Sequence, residues 1–66
     1  MANLIEGLQE ELNRNRELLK EYEKIGPNGA FGAHFIREGI KAAEAAIGQG
    51  DTINMMQCLE NLKENK

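Results

Sequence analysis

Serine, tryptophan and valine are missing from this chain, and cysteine, histidine, proline and threonine occur once each. With Cys58 alone, no disulfide can form within the chain, and a single cysteine fits a reducing compartment better than a secreted scaffold. With one histidine beside that cysteine, a metal cage has too few ligands unless several subunits contribute. The shortage of β-branched and aromatic residues argues against strands. Long apolar runs are lacking too. No stretch approaches the ~18 apolar residues of a membrane span, and the opening MANLIEGLQEE has no basic segment followed by an apolar core, so no leader is expected. An excess of positive charge is also absent. The net charge is −3, which gives the chain as a whole no attraction for nucleic acid or an anionic membrane.

What remains is 66 residues with 41% apolar and 29% charged side chains, a globular composition for one small all-α domain. A chain this short buries only ~60% of the surface its unfolded form exposes. With disulfide and metal set aside, self-association is the expected source of further stability. The apolar spacing predicts a helical hairpin plus a short third helix, over residues of about 3–24, 29–47 and 52–64.

Helix one opens at Asn3, with Glu6 three residues on in the pattern of a capping box. Ile5, Leu8, Leu12, Asn15, Leu19 and Tyr22 follow alternating steps of three and four, a heptad seam with one polar member. Asn15 either meets a partner helix and fixes its register, or lies at the edge of the face in water. Leu4, Leu18 and Ile25 widen the seam. Glu10 is spaced to pair with Arg14, and Lys20 with Glu17 and Glu23. The basic residues of this helix are interleaved with glutamates, which fits a solvated face better than a nucleic-acid groove.

GPNG breaks the pattern and turns the chain back on itself. In helix two, Ala33, Ile36, Ile40, Ala43 and Ile47 form one apolar face, while Gly32, Phe35, Gly39, Ala42 and Ala46 form a second of mostly small residues. Two such faces imply neighbours on two sides. Gly39, Ala42 and Ala46, with Met55, Met56 and Leu59 of helix three and Asn15 of helix one, are the expected contacts of a homo-oligomer. Gly48 is placed to cap helix two in a left-handed conformation, and Asp51 to cap helix three.

The segment IGPNGAFGAHF, residues 25–35, carries the chemistry. The first amides of a helix have no intrahelical partner and bear partial positive charge. Gly29 and Gly32 lack the side chains that would keep a phosphate from those amides, and Gly26, Asn28 and Ala30 complete the candidate ligand-binding turn. Lys24, His34 and Arg37 add cationic groups, and Tyr22, Phe31 and Phe35 offer surfaces on which a base could stack. Together they suit an anionic, nucleotide-like ligand. The plainer account is a helix turn: Gly26 as a C-cap, Gly29 after the turn, Gly32 for close packing. No strand precedes the glycines and no Lys-Ser/Thr follows them, so neither nucleotide-binding fingerprint applies. His34 with Glu38 one turn later reads as a surface pair rather than an acid–base site. Cys58, among apolar neighbours, reads as an inert buried thiol. No enzymatic activity and no cofactor are expected.

The run NRNRELLKEYEKIGPNGAFGAHFI, residues 13–36, resembles short helical proteins encoded by bacteriophages and prophages. The resemblance implies a non-enzymatic accessory protein in the cytoplasm of a bacterial host. Such proteins include inhibitors that block host proteins and oligomeric sponges that sequester cyclic or ADP-ribose-like nucleotide signals of host defence. No catalytic residue is implied.

Overall fold

The computed structural model describes residues 3–66, which form three α-helices: α1, Leu4–Ile25; α2, Ala30–Gln49; and α3, Thr52–Glu64. Among the described residues no helix is long and apolar enough to cross a membrane. The first and third helices are opened by side-chain caps: Asn3 accepts from the Glu6 amide and Asp51 from the Asn54 amide. Each cap satisfies one of the amides that a helix start leaves without a partner.

α1 ends at Gly26, whose φ of 80° is open to glycine and costly to a residue with a Cβ. The chain does not then loop freely into the next helix. Gly26–Gly29 coils into one turn of 3₁₀ helix, with Pro27 near its start where its missing N–H is harmless. α2 follows without an extended break. At its far end α2 runs through Gly48 to Gln49, and Gly50, at φ 68°, is the left-handed cap, its amide shared between the Ala46 and Ile47 carbonyls. The expected cap at Gly48 is therefore corrected by two residues. Gly48 stays helical because the chain still needs part of a turn before Asp51 can open α3.

Two cross-helix ion pairs, Arg16–Glu44 at 2.9 Å and Arg37–Glu23 at 3.1 Å, mark the antiparallel run of α1 and α2. α3 returns parallel to α1: Leu62 lies beside Asn15, and Lys66 beside Tyr22. The core between the three helices is made by Leu8 and Leu12 of α1, Ile36, Ile40, Ala43 and Ala46 of α2, and Met55, Cys58 and Leu62 of α3. Leu19 and Tyr22 of the seam, with Leu4 and Leu18 beside it, pack partly buried against this core as their spacing predicts, whereas Ile5 and Ile25 at the two ends are half exposed.

Asn15 does not behave as either expectation had it. It is fully buried within a single chain, its side-chain amide donating to the carbonyls of Glu11 (2.8 Å) and Leu62 (3.2 Å) and its oxygen accepting from Asn65 (2.8 Å). An intramolecular partner replaces the partner helix and the water alike. Ala46 and Met55 are likewise interior, so these three do not line an oligomer contact. Gly39, Ala42, Met56 and Leu59 keep some exposure. Arg14 pairs with Glu11 at 2.9 Å rather than with Glu10, because its guanidinium also reaches the Leu62 carbonyl at 2.7 Å. There it supplies a donor and a positive charge to the closing turn of α3.

Candidate functional site

The glycine segment sits at the end of the bundle where α1 turns into α2, and its amides are largely spoken for. The Gly26 amide donates to the Glu23 carbonyl, and the Ala30 amide to the Pro27 carbonyl. Between them the 3₁₀ turn bonds each amide to the carbonyl three residues back. Of the donors expected free at Gly29–Gly32, those of Gly29 and Ala30 are taken up by this turn. Gly29 is buried, and a Cβ there would strike the Tyr22 carbonyl. Gly32 faces the Tyr22 ring, which occupies the space a side chain would need. These two glycines let α1 and α2 approach, and the cradle for a phosphate is filled by protein.

Tyr22 is held in that position from its other end. Its hydroxyl donates to the Lys66 carbonyl at 2.7 Å, so ring, α2 and chain terminus form one packed unit. Beside it lies a shallow depression of about 290 Å³ lined by Tyr22, Glu23, Gly26, Pro27, Ala30, Ala33 and Arg37. Four of the residues singled out in the sequence, Tyr22, Gly26, Ala30 and Arg37, thus share one surface. Asn28 is exposed on the turn outside that lining.

The cations around this end are paired rather than free. Arg37 pairs with Glu23, and Lys24 with Glu21 at 3.7 Å; Lys20 pairs with Glu17 at 3.2 Å. These are exposed pairs and weak ones, so an anion of higher charge density can compete for the basic partner. His34 is exposed, and Glu38, the residue expected to orient it, pairs with Lys41 at 3.5 Å. Cys58 is buried in the core, where burial pushes its thiol above 9.0, the ordinary value, with the Asp51 carboxylate adding to the rise. A thiol held protonated and out of reach is a poor nucleophile. Among the described residues no group of three or more His, Cys, Asp or Glu is arranged to hold a metal ion.

The aromatic residues part company with the cations. At about 100° per residue, Phe35 and Arg37 point to opposite sides of α2. Phe31 and Phe35 instead stand in the open, 76% and 62% exposed, with their rings edge to face and centroids 5.3 Å apart. A groove of about 470 Å³ continues from Phe35 between α2 and α3. Gly39 and Ala42 lie on its α2 side, with Glu38, Asn61, Glu64 and Asn65 around it. Phe35, Gly39 and Ala42 of the expected second face do lie here, whereas Ala46 is buried and Gly32 turns towards Tyr22, and Phe31 joins the face in their place. The signal available was the step of four from Phe31 to Phe35, continued by Ala42.

No protein-family model, curated protein or solved structure matches the chain.

Proposed function

We propose that this chain is a non-enzymatic interaction protein that works by docking the Phe31–Phe35 face of α2 onto another protein. The observation that carries this is the exposure of two phenylalanine rings in edge-to-face contact on one helix, which sets them apart from the other exposed apolar side chains, Ile5, Ile25, Ile53 and Met56. Small domains seldom leave large apolar groups together in water unless a partner covers them. Aromatic side chains on a rigid helix are also the commonest anchors of helix-mediated recognition. In the setting implied by the resemblance to phage proteins, the partner is a host protein whose surface is blocked. The reading is tested by affinity capture from the host, followed by direct binding of the purified captured protein. Phe31→Ser and Phe35→Ser should each weaken that binding at least tenfold, whereas Arg37→Ala should leave it intact. Equal binding by all three variants overturns the docking reading.

A second reading has its own observation. Tyr22, Gly26, Ala30 and Arg37 converge on one depression, and an anionic, nucleotide-like ligand there would draw Arg37 away from Glu23 and lie against the edge of Tyr22. This is capture of a small signal without turnover, moved from the helix amides to a side-chain cation. Heating the purified protein and examining the supernatant by mass spectrometry, then measuring melting with added cyclic and ADP-ribose-like nucleotides, tests it. A melting shift lost in Arg37→Ala but kept in Phe31→Ser supports the ligand. A clean supernatant and no shift removes it.

A further inference from the structure

We propose that the partner fitted by the Phe31–Phe35 face is a second copy of this chain, with α2 packed against α2 in antiparallel register. This rests on the docking reading above and adds a second occupant of the same face, the one that covers it when no other protein is bound. The argument starts from six positions at alternating steps of four and three along α2: Phe31, Phe35, Glu38, Ala42, Ala45 and Gln49. All six are exposed in the single chain. They form a continuous seam along a helix of 20 residues, roughly 30 Å long.

The seam is unequal along its length. Its first half carries two phenylalanines and its second half two alanines. A parallel pairing would set ring against ring at one end and leave a gap between alanines at the other. An antiparallel pairing places Phe31 against Gln49, Phe35 against Ala45 and Glu38 against Ala42 of the second copy, so each large group meets a small one. That is the condition for two helices to close evenly on each other.

Charge selects the same register. Lys41 flanks the seam on the side to which Glu38 leans, and a two-fold axis brings like flanks together. In this register Lys41 of one copy comes within one residue's rise of Glu38 of the other. Sliding the pairing by a heptad towards the phenylalanine ends would instead set Phe35 against Glu38 and carry Lys41 about six residues' rise from the Glu38 of the other copy. Within one chain Glu38 and Lys41 already pair at 3.5 Å, with both side chains more than half exposed. Exchanging that weak contact for the same contact across the seam sacrifices little. A dimer of this kind hides the docking face when no other protein is present, and another protein would compete for it.

Sedimentation equilibrium of the full chain up to about 100 μM, a range in which modest interfaces populate, tests the proposal. Phe35→Ala and Ala45→Phe should each weaken the dimer at least tenfold, and the double variant, which exchanges the sizes across the seam, should recover to within about threefold of the original. Both positions are exposed, so circular dichroism should show folded helix throughout. A wild-type chain that stays monomeric overturns the second copy as partner and leaves docking onto a different protein standing. A dimer indifferent to Phe35→Ala overturns the face. A dimer that responds to both single changes without recovery in the double variant overturns the antiparallel register. Failure of the docking reading itself is read separately, from the purified captured protein.

Discussion

Asn65 donates its side-chain amide to the side-chain oxygen of Asn15 at 2.8 Å, tying the end of α3 to the middle of α1. Asn15 is fully buried, yet its donor and acceptor are both used, and among the described residues no buried side-chain polar atom lacks a partner. A polar residue in an apolar seam is tolerated on that condition alone.

Removing either end of this bond should therefore cost stability unequally. Asn15→Leu should lower the unfolding free energy by about 1–3 kcal/mol, since it strips a partner from both Asn65 and the Leu62 carbonyl. Asn65→Ala should cost less, because Asn15 keeps its bonds to Glu11 and Leu62. Urea unfolding of the two variants and their double should give a coupling of about 1 kcal/mol. Additive losses would mean that the bond contributes nothing of its own.

The glycines divide by what surrounds them. At Gly29 a Cβ would meet the Tyr22 backbone carbonyl and stand 3.1 Å from the Ile25 Cβ, neither of which can move away without shifting α1. Gly29→Ala should destabilise by about 2 kcal/mol or more. At Gly7, within α1, nothing among the described residues lies within 4 Å of the added atom. Gly7→Ala should raise stability by up to about 1 kcal/mol through helix propensity alone. Thermal unfolding of the pair checks both signs.

The fold was legible where local chemistry decides it. Asn3 and Asp51 are short-range caps, and the periodicity of Leu8, Leu12, Ile36, Ile40 and Leu62 is a property of each helix alone. The site was legible only in part. That Gly26–Gly29 coils into a 3₁₀ turn and uses up its amides depends on how α1 and α2 meet, which Tyr22 controls from across the hairpin. That Phe35 and Arg37 lie on opposite sides of α2 follows from their spacing, but which side faces α1 and which faces water depends on the rotation of α2 about its axis, fixed by α3 packing near Gly39 and by the Tyr22 ring on Gly32. Asn15 finds its partners some fifty positions away, beyond the reach of any local pattern.

The buried thiol predicts a pH dependence. Cys58 ionises above 9.0 in the folded chain and near that value when unfolded. Near and above it the unfolded state releases a proton that the folded state retains, so stability falls as pH rises through 9.0 and is unaffected well below it. The difference in stability between the wild type and Cys58→Ala should thus shrink between about pH 8 and 10. A constant difference over that range would place the thiol in contact with solvent. Alkylation should agree, slow in the native protein and complete in denaturant.

Docking and folding should be separable on α2. Phe31 is 76% exposed and rests mainly against Phe35, itself 62% exposed, so neither contributes much to the core. Phe31→Ser and Phe35→Ser should change unfolding free energy by less than about 0.5 kcal/mol apiece at concentrations where the chain is monomeric. Ile36→Ala, next in sequence but 3% exposed, should cost about 2–5 kcal/mol by leaving a cavity between α1 and α2. The contrast isolates what the rings are for. A residue that folding does not need, held in water on a rigid helix at a standing cost in solubility, is explained by a surface that covers it. Large destabilisation by Phe31→Ser would instead make the pair part of the fold and remove the reason to seek a partner.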